Sequence, residues 1–132
     1  MSIGISAKTR CNTSEFVDLL LSFEEMGRKS GMEVVSDMDN KIIDLRFTSN
    51  GLVEVRGHDT DSGVEVEFDC QTNILGPGFH KLVVDLLCDV AGQCGISFDV
   101  EDETDYFEHR DFSRMCQEHF MPWLGRIVDL LE

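Results

Sequence analysis

The segment Asn73–Lys81, reading Asn-Ile-Leu-Gly-Pro-Gly-Phe-His-Lys, is where residue types and spacing come closest to a reactive site. Gly76 and Gly78 flank Pro77 at the start of a predicted helix. Free N–H groups at such a start, aided by the helix dipole, can hold an anion. His80 and Lys81 fall in the first turns, and a histidine there titrates in the range useful for acid or base work. The site would comprise Gly76, Gly78, His80 and Lys81, with Asp105, Glu108 or Asp111 orienting the imidazole. The same residues also describe a tight strand-to-helix turn, in which glycine supplies positive φ and proline fixes the direction of the helix. The turn is the simpler reading, and the anion pocket is its alternative.

Cys116 and His119 lie one helical turn apart, a spacing that lets both ligate one metal ion. Further ligands would have to come from His80, His109 or Cys88. Both residues also sit on an apolar helical stripe, which favours a buried, hydrogen-bonded His119. No metal or cofactor is therefore expected. The five cysteines, Cys11, Cys70, Cys88, Cys94 and Cys116, form no CxxC pair. Cys70, Cys88 and Cys116 read as small buried hydrophobes in a reducing, cytoplasmic setting. None stands on a nucleophile turn, and GxSxG, HExxH and phosphate-binding glycine signatures are absent. No catalytic residue is assigned, and the chain reads more as a non-enzyme than as an enzyme.

Acid is the other chemical signal. The formal charge is −15, and residues 1–30 contribute none of it, their four acids matching four bases. Between Gly57 and His109 the only base is Lys81. The densest run is Asp99-Val100-Glu101-Asp102-Glu103-Thr104-Asp105, followed by Tyr106 and Phe107. Neither this run nor Asp59–Cys70 has the spacing of a calcium-binding EF-hand loop. Such an excess excludes nucleic acid and anionic membrane surfaces, which need cationic partners. It suits a basic protein steered in by charge, with Glu101, Asp102, Glu103, Asp105, Tyr106 and Phe107 as the contact surface. A solubilising acidic loop is the plainer explanation.

Helices and strands must position these groups. Asn12 to Glu15 has the form of a capping box, and Phe16, Leu19, Leu20, Phe23 and Met26 follow at helical spacing. The predicted helix covers residues 13–30, with Gly31 as its left-handed cap. Short strands follow over Met32–Val35, Lys41–Thr48 and Leu52–Arg56, the last two joined at Asn50-Gly51. Gly57–Gly63 reads as a polar loop before an alternating strand from Val64 to Cys70. A second helix runs from Pro77 to Gly92 or Gly95, and Ile96, Phe98 and Val100 alternate as a further strand. Phe112, Met115, Cys116, His119 and Phe120 open a third helical stripe, which Trp123, Leu124, Ile127, Val128 and Leu131 continue. Pro122 should kink or restart it.

The reading is one globular domain over residues 1–132, with 1–11 as a flexible lead-in. The class is α+β: a two-layer sandwich of three helices on a mainly antiparallel sheet of four to five strands, in the order α-β-β-β-β-α-β-α. No apolar run approaches the ~18 residues of a membrane span. Met1–Arg10 has no apolar stretch behind its bases, so no signal peptide is expected. Size, acidity and build are shared with toxin-neutralising immunity proteins and small secretion chaperones, as a profile and not through any motif. The expected function is a non-catalytic interaction module for a basic partner; the last amphipathic helix is expected to close the core, with a homodimer seam or a docking face as the alternative.

Overall fold

A computed structural model describes residues 3–131. Its frame is a six-stranded sheet in which every neighbouring pair is antiparallel, in the order β2-β3-β4-β5-β1-β6. The strands are β1 (Gly4–Cys11), β2 (Glu33–Asp37), β3 (Ile42–Thr48), β4 (Gly51–Thr60), β5 (Gly63–Gln71) and β6 (Asp99–Asp102). Helices α1 (Thr13–Lys29) and α2 (Pro77–Cys94) lie side by side on one face. After β6 come α3 (Tyr106–His109), α4 (Phe112–Met115), one π-helical turn at Cys116–Phe120, and α5 (Met121–Leu131). The α+β class is therefore as expected, while the strand count and order are not. Among the described residues no helix is long and apolar enough to cross a membrane.

The largest correction concerns the lead-in. Residues 4–11 are not flexible but form β1, an interior strand between β5 and β6. Ile3, Ile5, Ala7 and Cys11 all lie in the core. Their side chains alternate with Lys8 and Arg10, which face solvent, as a half-buried strand requires. A second correction follows Arg56. The polar Gly57–Thr60 stretch continues β4 rather than looping, because it pairs with Gly63–Val66 of β5 through to Thr60 opposite Gly63. Only Asp61 and Ser62 turn the chain.

Side-chain alternation separates two surfaces. Ile43, Val55, Phe68, Ala7 and Val100 stand in one cross-strand row under the helices, and Leu45, Val53, Cys70 and Ile5 form the next. Burying such a side chain is worth roughly 1.5–3 kcal/mol, so a one-residue slip, which would turn both rows to water, is strongly opposed. The hairpin between β3 and β4 turns at Ser49 and Asn50, with Thr48 opposite Gly51. Gly51 serves close approach here: a Cβ would run into the side chains of Leu75 and Phe79.

Helix ends follow the local chemistry. Glu15 N–H donates to Asn12 Oδ1 at 2.8 Å, and Asn12 N–H donates back to Glu15 Oε1 at 3.0 Å, closing the expected capping box. Gly76 adopts φ 90° ahead of Pro77 and Gly95 ends α2 in the left-handed region, so the Gly-Pro-Gly segment forms the strand-to-helix turn. The third helical stretch departs from one continuous stripe. Asp111 caps α4 by accepting from Arg114 N–H at 3.0 Å. Pro122 can supply no amide proton to the carbonyl four residues before it, and the chain widens into the π turn just ahead, where Met121 N–H reaches Cys116 O. Met115 and Phe120 are buried and Trp123 is half-buried, but no residue of α5 is buried. Leu124, Ile127, Val128 and Leu131 are thus exposed, and the predicted core stripe ends at Trp123.

Candidate functional site

The edge strand β6 divides the acidic run into two environments. Val100 and Asp102 turn toward the helices, while Asp99 and Glu101 turn to the open face. Asp102 stands at the end of the apolar row, opposite Ile5, with its side chain 2% exposed. Its charge survives there because four donors surround it. Oδ1 accepts from Thr104 N–H at 2.9 Å and from the Thr104 hydroxyl at 2.8 Å. Oδ2 accepts from Phe107 N–H at 3.0 Å and lies 3.0 Å from His80 Nε2. Burial alone would raise this carboxyl; the hydrogen bonds it accepts from His80 and from the Thr104 amide and hydroxyl outweigh that and hold it below the ordinary aspartate value.

His80 is fully buried on the core side of α2. Its Nδ1 lies 2.7 Å from the Thr72 hydroxyl. With Nε2–H donating to Asp102, Nδ1 is left to accept from Thr72, so both nitrogens are engaged. Tyr106 and Phe120 pack edge-on against the ring at centroid distances of 6.4 and 5.9 Å. Among the described residues no buried side-chain nitrogen or oxygen lacks a partner. The group therefore ties together α2, β6, the segment after β5 and the loop entering α3. A closed, fully bonded imidazole of this kind locks structure rather than offering a nitrogen to a bound molecule.

The four residues of the expected anion pocket are consequently not brought together. Gly76 and Gly78 lie at the start of α2, His80 points into the core, and Lys81 points outward to pair with Asp85 at 2.8 Å. Asp102 is the imidazole's partner in place of Asp105, Glu108 or Asp111. Two signals could have found it: the alternation of β6 places Asp102 on the side of Val100, and Asp-x-Thr is the sequence of a local turn in which the carboxylate accepts from the residue two ahead. Cys116 and His119 are both half-buried, and among the described residues no group of three or more His, Cys, Asp or Glu could hold a metal ion. All five cysteines are free; Cys11 and Cys70 are buried, whereas Cys88, Cys94 and Cys116 are half-buried.

Of the expected partner-binding residues, Glu101, Glu103 and Asp105 are exposed and Phe107 is half-buried. Asp102 and Tyr106 face inward and leave that surface. An open cleft of about 310 Å³ lies between Glu101, Glu103, Asp105, Phe107 and Glu108. The Arg110 guanidinium sits 5.7 Å from the ring centroids of both Tyr106 and Phe107 and pairs with Asp85 at 3.1 Å.

Strand register adds acid that linear sequence did not join to this run. Asp44 faces Glu54, Glu54 faces Asp69, and Asp69 faces Ser6, which in turn faces Glu101. One row across the open face of the sheet thus carries four carboxylates, with strands about 4.8 Å apart. Arg56 bridges the first two, at 2.8 Å from Asp44 and 3.2 Å from Glu54. Among the described residues Asp69, Glu101 and Glu103 have no cation within ion-pair distance. The adjoining row, Arg56, Glu67, Lys8 and Asp99, alternates in sign and is internally balanced. The contrast locates the unneutralised charge at the β5–β1–β6 end of the sheet. Comparison with protein-family models, curated proteins and solved structures returned no match to this chain.

Proposed function

We propose that this protein is a non-catalytic binding module that captures a basic protein segment on the β5–β1–β6 side of its open sheet face. The observation that carries this reading is the carboxylate row Asp44, Glu54, Asp69 and Glu101, whose last two members have no cation at ion-pair distance among the described residues. Glu54 and Asp69 stand directly opposite each other, and like charges so placed on a sheet are destabilising. A Lys- or Arg-rich segment laid across the row relieves that repulsion and gains a steered encounter. Glu103, Asp105 and the half-buried ring of Phe107 extend the surface around the edge strand. The burial of His80, with both nitrogens engaged, counts against acid–base chemistry at the start of α2.

The test is isolation of the tagged protein from its native cells at about 50 mM and about 500 mM salt, conditions that move the screening length several-fold. A stoichiometric basic companion retained at low salt and shed at high salt is the expected result. Repeating the low-salt isolation with Asp69→Lys, Glu101→Lys and Glu103→Lys combined should lose that companion. A companion that survives the triple reversal, or recovery of the protein alone at both salts, would overturn the reading.

A further inference from the structure

Strand β6 ends the sheet with part of its main chain open, and ladder parity identifies the open groups. Thr72 N–H donates to Ile3 O at 2.8 Å, and these two residues stand opposite each other, one step beyond Gly4 and Gln71. Ile3, Ile5 and Ala7 therefore turn their N–H and C=O groups to β5, while Gly4, Ser6 and Lys8 turn theirs to β6. Glu101 and Asp99, opposite Ser6 and Lys8, bond inward to β1. Val100 and Asp102 then direct their main-chain groups away from the sheet. Asp102 C=O is taken by Asp105 N–H at 3.0 Å. Among the described residues Val100 N–H, Val100 C=O and Asp102 N–H are left without a partner. Asp102 is half-buried as a residue although its side chain is 2% exposed, so its accessible surface is main chain. The cleft of about 310 Å³ fits the same edge, because it is lined by consecutive residues, Val100 to Glu103, facing Phe107 and Glu108. Successive side chains point to opposite faces, so consecutive residues share one cleft along the strand's edge and not on either face.

We infer, resting on the capture of a basic segment proposed above, that the segment is received as a seventh strand along β6. Main-chain bonds to Val100 and Asp102 hold it, and its alternate side chains give the specificity. Residues opposite Asp99 and Glu101 share the open face and are Lys or Arg. A cation opposite Asp99 continues the alternation of sign along Arg56, Glu67, Lys8 and Asp99. One opposite Glu101 supplies the counter-charge that its own row lacks at this end. The residue between them, opposite Val100, turns to the helix side, toward the half-buried Phe107, and is apolar. The chemistry recognised is thus an extended peptide in which basic and apolar residues alternate, and a high density of lysine does not suffice.

The test uses the full chain and synthetic peptides of about seven residues, at about 50 mM NaCl. One peptide alternates lysine with valine; a second has the same composition with its lysines and valines in blocks. Fluorescence anisotropy should show the alternating peptide bound about tenfold tighter or more. Hydrogen exchange followed by NMR should slow at the Val100 and Asp102 amides, while those of Asp99 and Glu101, already bonded to β1, change little. Two further alternating peptides carry N-methyl groups on every valine amide or on every lysine amide. Amides of one kind alone can face β6, the valines in an antiparallel strand and the lysines in a parallel one. One methylated peptide should therefore lose about tenfold or more in affinity while the other binds as before. Equal binding of the alternating and block peptides, equal effects of the two methylations, or slowed exchange confined to the opposite edge at Glu33–Asp37 would overturn strand addition and leave the capture of basic segments standing. Failure of every peptide to bind would overturn the capture itself, and strand addition with it.

Discussion

Replacing Asp102 should expose how much of the fold hangs on one carboxylate. Asp102→Asn keeps the shape but leaves a single acceptor oxygen. If that oxygen stays toward Thr104, the new amide faces Phe107 N–H and His80 Nε2, both at 3.0 Å from the original Oδ2. His80 can adapt by moving its proton to Nδ1 and donating to the Thr72 hydroxyl, which then donates to Ile3 O, 3.3 Å away. Phe107 N–H has no such escape. The cost is then one buried donor without a partner, roughly 1–3 kcal/mol. Asp102→Ala removes every acceptor and strands the Thr104 and Phe107 amides together with His80. That cost is roughly 3–6 kcal/mol, with some compensation if water enters. For a chain of 132 residues each kcal/mol moves the midpoint by about 3–5 °C. Thermal denaturation followed by circular dichroism should therefore rank wild type above Asn by about 3–15 °C, and Asn above Ala by a further similar step. The difference also has a pH signature. Because the folded carboxyl sits below its ordinary value, its contribution is fully present above pH about 4 and is lost as pH falls through the lower folded value. The gap between wild type and Asp102→Asn should be level from pH 5 to 8 and close in acid. An Asp102→Ala midpoint within about 2 °C of wild type at neutral pH would refute the claim that the carboxylate is closed in and fully bonded.

The open face and the core make two further predictions. Asp69→Asn removes one of two directly opposed charges, so it should raise stability by roughly 0.2–1 kcal/mol in urea denaturation while weakening capture of the basic companion. A loss of both stability and binding would mean that Asp69 is structural instead. Burial, with the Asp69 and Glu54 charges adding to it, pushes the Cys70 thiol up to about 12. In the native protein it should resist a thiol reagent at pH 8 that labels half-buried Cys88 and Cys116, and peptide mapping after timed labelling reads the order directly.

What the sequence discloses here depends on whether a signal is local. The capping box at Asn12 and Glu15, the Gly-Pro-Gly turn and the alternation from Val64 to Cys70 are all set by neighbours within a few residues, and all are legible. Strand β1 escaped because Ile3, Ile5 and Ala7 alternate with the small residues Gly4 and Ser6, giving weak contrast, and no turn signal precedes them. His80 sits among Phe79, Val83, Val84 and Leu87 on one helical stripe, so its burial was readable from spacing once the imidazole is treated as a core residue with a partner. Asp102 needed the parity of a four-residue strand, which a continuous acidic run conceals. The carboxylate row was not readable at all. Asp44, Glu54, Asp69 and Glu101 are brought abreast only by the register of five strands, and register is a property of the assembled sheet. The exposure of α5 was equally hidden, because its apolar period is what a core helix would show and only the missing opposite surface distinguishes the two.

The buried clamp and the exposed acid are mechanically one device. Strand β6 has four residues, pairs on one side only and carries like charges on its outer positions, so by itself it is a poor strand. Its alternation means that whatever fixes Asp102 inward also fixes Glu101 outward, at the end of the row begun by Asp44. The bonds from Thr104 and Phe107 to the same carboxylate fold the following loop back, which places Glu103 and Asp105 beside Glu101 around one cleft. Repulsion among these acids works to open the edge, and the anchor that resists it is the carboxylate held by His80 on α2. A partner that neutralised the outer acids would remove the opening force without touching the anchor. The clamp thus holds an otherwise self-repelling edge in place, and under the proposed capture of a basic segment Asp102→Asn should weaken retention of the companion at low salt even though Asp102 itself faces inward.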